Sequence, residues 1–118
     1  GLVHSGWRGT VARIIDAGLR GFARLGLPPE ELNVHLGPAI CGRCYEVGAE
    51  VRAELTGQPV NRAGNVDIRS LIAEHARDAG VADVTVSADC TKCDNEKYFS
   101  HRAGDTGRQL AVIVAGIL

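Results

Sequence analysis

The sequence has no methionine, one tryptophan, two tyrosines and two phenylalanines. Without a methionine, its 118 residues are expected to be a fragment or a processed chain rather than a complete translation product. A long apolar run is missing as well. The stretch from Leu110 to Leu118 is too short to span a bilayer and reads instead as a strand over Leu110 to Ile117, buried on both faces. The N-terminus lacks a basic region, so no secretory signal is expected. Nor is there an excess of charge of either sign. Thirteen Lys and Arg against 14 Asp and Glu leave a net charge of -1. That balance excludes the basic stripe of a dedicated nucleic-acid binder and the polybasic patch of a membrane-surface protein.

What is present is an ordinary globular composition, 45% hydrophobic and 23% charged, which excludes disorder. The length allows one domain at most, read as a single segment over 1–118 that can bury a core without staples. Helical and strand periodicities alternate, giving an α/β or α+β pattern with helices layered on sheet. Gly1 to His4 reads as the tail of a strand. Thr10 is placed to cap a helix carrying Val11, Ile14, Ile15, Leu19 and Phe22, stopped at Gly26. Glu31 to Leu36 is a short strand, Glu46 to Leu55 a short helix. Asp67 is placed to cap a second clear helix ending at Gly80. Val81 to Ala88 alternates as a strand does, and Asp89 to Asp105 is a long loop.

Three features could carry chemistry. In His4-Ser5-Gly6-Trp7-Arg8-Gly9, glycines allow a tight strand-to-helix turn, and the helix start suits an anion. Arg8 adds a fork-shaped donor for phosphate or carboxylate, and Trp7 a flat face for a base. His4 is placed as a metal ligand or acid-base group. The plainer alternative is a structural turn, with Trp7 in the core and Arg8 in solvent. The segment Ser100 to Arg108 repeats the ingredients, with Arg102, Arg108, His101 and two glycines; two such turns could clamp one polyanion if they meet. The third feature is the pair of C-x-x-C motifs, Cys41-Gly-Arg-Cys44 and Cys90-Thr-Lys-Cys93. Four thiolates would make a closed tetrahedral zinc site. Their separation far exceeds the roughly 15–20 residues of a zinc ribbon, so thiols standing in loops or core are the leading expectation. His35 and His75 read as packed or surface residues. Four cysteines without a secretory signal favour a reducing, cytoplasmic location.

These motifs together resemble a known family. His4 to Gly9 is similar to an H-A-G-W-R-G motif with Ser5 for alanine. Gly37-Pro-Ala-Ile-Cys-Gly-Arg-Cys-Tyr-Glu-Val47 is similar to G-P-x-I-x-x-x-C-Y-E-V. Cys90-Thr91, Tyr98-Phe99-Ser100-His101-Arg102 and Thr106-Gly107-Arg108 are similar to the ending C-T…F-F-S-Y-R-R-D-G-x-T-G-R. On these three motifs, in order, the chain resembles the laccase-domain family, also called polyphenol oxidase or YfiH-like. The resemblance covers the whole chain but only the C-terminal half of the family domain. It departs at Ala103, where the family has a second arginine, and the loop before Thr106 is one residue shorter.

The resemblance implies an α+β fold, helices layered on mixed β-sheets, of the CNF/YfiH-like cysteine-hydrolase type and present here as a partial domain. It implies a zinc-dependent purine nucleoside phosphorylase acting on adenosine, inosine or methylthioadenosine with phosphate, together with possible adenosine deamination. The family's metal is held by two histidines and a cysteine, of which only His4 has a counterpart here. Carried over residue by residue, His4 and Arg8 are catalytic, with His4 the metal ligand, and Trp7, Arg102 and Arg108 bind substrate. Two other readings stand beside this one. One is a copper-dependent polyphenol oxidase, against which the four scattered histidines argue. The other is a non-enzymatic zinc-binding module built on the two C-x-x-C pairs.

Overall fold

A computed structural model describes residues 1–116 as an α+β arrangement of four helices and four short strands. The elements in order are α1 (Trp7–Val11), α2 (Ile14–Arg24), β1 (Asn33–Leu36), β2 (Glu46–Val47), α3 (Ala49–Thr56), β3 (Gly64–Asn65), α4 (Ile68–Asp78) and β4 (Asp83–Val86). Short 3-10 turns cover Pro29–Glu31 and His101–Ala103.

The organising pair is β1 with β4, which run parallel in the register Asn33↔Asp83 to Leu36↔Val86. Everything between them is a crossover that packs back on the pair, as parallel strands require. Beyond the strands the pairing continues through one isolated bridge, Ala39↔Cys90. The second sheet is the small antiparallel pair β2–β3.

The core follows from the apolar faces of the helices. Tyr45, Val47, Leu55, Val66, Ile68 and Ile72 form one buried cluster, with Trp7, Ile15 and Leu36 against it. Leu19, Ala76 and Val81 form a second, with Ile15 touching both. The α4 helix starts where its sequence says it should: the Asp67 carboxylate accepts from the Ser70 N–H at 3.1 Å. It ends before Gly80, which takes φ +104°.

The structure corrects several boundaries. Gly1 to His4 is not a strand but an exposed lead-in, because nothing among the described residues pairs with it. Thr10 does not cap a helix. It lies inside α1, 2% exposed, and its hydroxyl donates to the Gly6 carbonyl at 2.8 Å. The single helix expected from Val11 onward is broken at Arg13, whose φ of 53° is left-handed. An ion pair with Asp16 at 2.7 Å holds that conformation, which a non-glycine residue rarely adopts. Glu46 and Val47 belong to β2, and helix α3 starts only at Ala49. The largest correction is at Leu110–Gly116, which forms no strand: Leu110 is 87% exposed and Val114 83%. Apolar residues are buried only where something covers them, and no described element lies against this run. Ile117 falls outside the described residues.

Candidate functional site

His4, Trp7 and Arg8 stand at the lead-in to α1. His4 and Arg8 are exposed, and Trp7 is half-buried against the larger core cluster. The Arg8 guanidinium carbon lies 4.4 Å from the Trp7 ring centroid, a cation–π stack. Trp7 thus packs on the core and carries a cation on its ring. The expected anion-binding helix start is weak, because α1 is only five residues long and then breaks at Arg13.

Arg102 arrives from the 3-10 turn His101–Ala103, which the Ser100 hydroxyl caps by accepting from the Ala103 N–H at 3.3 Å. Its guanidinium sits 4.7 Å from the Tyr45 ring centroid and donates to the Glu46 carbonyl at 2.6 Å. Tyr45 belongs to the cluster against which Trp7 packs, so each arginine-bearing turn rests on an aromatic ring of the same core. Arg108 turns inward on its own loop, donating to the carbonyls of Thr106 at 3.1 Å and Gly107 at 2.8 Å. The loop is pinned by Asp105, whose carboxylate accepts from the Asn95 amide at 2.6 Å and the Ser100 N–H at 2.8 Å. These bonds, the Ser100 N–H first, hold the Asp105 carboxyl below the usual carboxylate range. Two open hollows of about 310 Å³ lie elsewhere, and none of His4, Trp7, Arg8, Arg102 or Arg108 lines them.

A family metal at His4 can be tested against the donor set. Among the described residues the one group of three or more possible ligands is Cys41, Cys44, Cys90 and Cys93, so His4 has no set of co-ligands there. A metal at His4 therefore does not fit the described residues by themselves.

The cysteines are free thiols in loops, with Cys90 buried, as expected, but the fold gathers them despite their spacing. Parallel pairing brings the loops after β1 and β4 to the same end, and all four sulfurs lie within 4.8 Å of one another. Cys44 Sγ is 3.4 Å and Cys41 Sγ 3.9 Å from Cys93 Sγ. The N–H groups of Cys41 and Cys93 both point at Cys90 Sγ, at 3.2 and 3.3 Å. Burial alone would push the Cys90 thiol up, but the N–H groups of Cys93, Cys41 and Lys92 bring it down to about 6. Cys93 is pushed up to about 12, because it shares its proton with Cys44 first and then with Cys90 and Cys41. All four thiols are free, and the cluster can hold a metal ion.

Sequence reasoning also missed the residues that build this corner. Asn65 donates to the Gly42 and Arg43 carbonyls at 2.8 and 2.9 Å. Arg69, 8% exposed, donates to the Ser87 and Asp89 carbonyls, each at 2.7 Å. The available signal was the matched form of the two motifs, each C-x-x-C with a cation before its second cysteine and each following a strand.

A family model described as multi-copper polyphenol oxidoreductase laccase matches residues 1–116. A purine nucleoside phosphorylase of Deinococcus radiodurans is 38% identical over 96% of this chain and 47% of its own length. An adenosine deaminase from an unknown prokaryotic organism is 32% identical over 84% of this chain and 43% of its own. The crystal structure of YlmD from Geobacillus stearothermophilus superposes with a TM-score of 0.77 at 29% identity, covering 85% of this chain and 42% of that one. The chain thus spans about half the length of the relatives it matches.

Proposed function

As this chain belongs to the laccase-type, YfiH-like family, we propose that it serves the phosphorolysis of purine nucleosides, such as adenosine, inosine or methylthioadenosine, with adenosine deamination as a side activity. Residues 1–118 would form one segment, the C-terminal half of the family's domain, acting in the cytoplasm where thiols stay reduced. The similarity to the Deinococcus phosphorylase over nearly the whole chain carries this reading.

The side chains suit the reaction. Cleaving the glycosidic bond builds positive charge on the ribose and negative charge on the departing purine. The Trp7 ring could take a purine once the Arg8 guanidinium that lies over it swings aside, where the cation would meet developing negative charge. Arg102 uses one nitrogen on the Glu46 carbonyl, and its remaining donors are available to hold phosphate in line for attack. Arg108 would join it once released from its loop carbonyls. His4 would be one ligand of the zinc, with copper as the alternative, that the family implies. Its co-ligands are not among the described residues, so no step here depends on that metal.

The test incubates the full-length protein with adenosine, with and without phosphate, and separates the products by chromatography. Free adenine appearing only with phosphate supports phosphorolysis, and Arg8→Ala is then expected to lower kcat/KM by about 100-fold. Inosine alone would restrict the activity to deamination. No product from any nucleoside would overturn the proposal and favour phenol oxidation, which copper content and oxygen consumption with a phenol would reveal.

A further inference from the structure

We propose that Cys41, Cys44, Cys90 and Cys93 hold a structural zinc ion that fastens the loop after β1 to the loop after β4. The assignment stands on geometry and does not depend on which reaction the protein catalyses. Four thiolates at about 2.3 Å around a tetrahedral zinc stand about 3.8 Å from one another. Two cysteine contacts across the loops, 3.4 and 3.9 Å, bracket that spacing.

Packing does not explain the cluster. Cys90 is buried, but Cys93 is exposed and Cys41 and Cys44 are half-buried, so little apolar surface is gained by gathering them. The protein nevertheless braces both loops from one place. Asn65 holds the first loop by its Gly42 and Arg43 carbonyls, and Arg69, one turn further, holds the approach to the second by Ser87 and Asp89. Between them, Gly42 passes so close to Asp67 that a Cβ there would meet the Asp67 Cβ at 3.0 Å. Both loops are therefore shaped by bonds from the protein itself. The N–H groups aimed at Cys90 Sγ are donors that a thiolate accepts better than a thiol does.

Charge fits as well. Four thiolates around one dication leave the centre at a net −2, and any protons the thiols still carry are released to solvent. Arg43 and Lys92 stand at the same place in each motif, immediately before the second cysteine, and offset that charge. A closed set of four sulfurs leaves no open position for substrate, which marks the ion as structural. What it would fasten is specific. Tyr45 and Glu46 follow the first motif directly, and Arg102, from the chain beyond the second motif, rests on both.

The experiment uses full-length protein purified anaerobically with reductant, and reads metal rather than turnover. The wild type is expected to carry a zinc that Cys93→Ala loses, one equivalent per chain, and that His4→Ala keeps. After exchange with cobalt(II), the wild type should show intense thiolate-to-cobalt charge-transfer absorption. Cys93→His should keep the metal with a weaker, three-sulfur spectrum, which separates loss of a ligand from loss of the fold. The wild-type cobalt spectrum stands even if Cys93→Ala does not fold. A wild type with no thiolate-bound metal, with its four cysteines recovered as disulfides, or with an iron–thiolate chromophore in place of zinc would overturn the proposal. So would unchanged zinc in Cys93→Ala.

Discussion

Arg69 carries a guanidinium into the interior, where a cation is tolerated only if its donors are met. One of its nitrogens serves two carbonyls, those of Ser87 and Asp89, on the stretch that leads from β4 to Cys90. Arg69→Met keeps most of the volume and strands both acceptors, so it should cost about 3 kcal/mol, two charge-assisted bonds of roughly 1.5 kcal/mol each. Denaturant unfolding of the full-length protein measures this; a change within about 0.5 kcal/mol, the scatter of neutral surface changes, would refute it. Asp105 is the second residue with a distinct signature. Its folded pKa lies below the unfolded one, so its contribution is complete above the ordinary carboxylate range and is lost as pH falls through the lowered value. The protection of the Tyr98–Asp105 loop amides, measured against their intrinsic exchange rate, should therefore fall as the pH is taken below about 4. In Asp105→Asn the loop should show low protection at every pH, with that step gone.

Elements were legible where local chemistry decides them. The Asp67 cap, the apolar face of α4 and the β4 alternation are written in neighbouring residues, and each formed close to where its pattern lies. Boundaries that depend on a distant or unusual partner were not legible. The break at Arg13 needs a left-handed non-glycine residue secured by Asp16, and residue type does not announce that. The run at Leu110–Gly116 shows the opposite failure: its composition is that of a buried strand, but burial belongs to the pair and not to the strand. An uncovered apolar run of this kind binds hydrophobic dyes. The 118-residue chain on its own should therefore do so, and Ile113→Lys with Val114→Lys should reduce the signal without lowering its unfolding midpoint. A fall in stability in that variant would mean the run packs on the core after all.

At the scale of the whole molecule, the candidate site was legible in composition and hidden in arrangement. The three family motifs marked His4, Trp7, Arg8, Arg102 and Arg108, but not that Tyr45 would carry Arg102 on its ring. The cysteines were visible as two motifs but not as a cluster, because linear spacing says nothing about two parallel strands ending side by side. That pairing also dictates an order of events. Thr85 meets His35 across a separation of fifty residues, and each sulfur pair is just as far from its counterpart. Such contacts carry a large loop-closure cost and form after local ones. A zinc ion offered to the refolding chain would meet only two thiols at a time until the crossover has closed. Ion capture would then be a late event whose rate reports strand docking, and a chelator added early in refolding should leave the helices forming on schedule while the last step fails to lock.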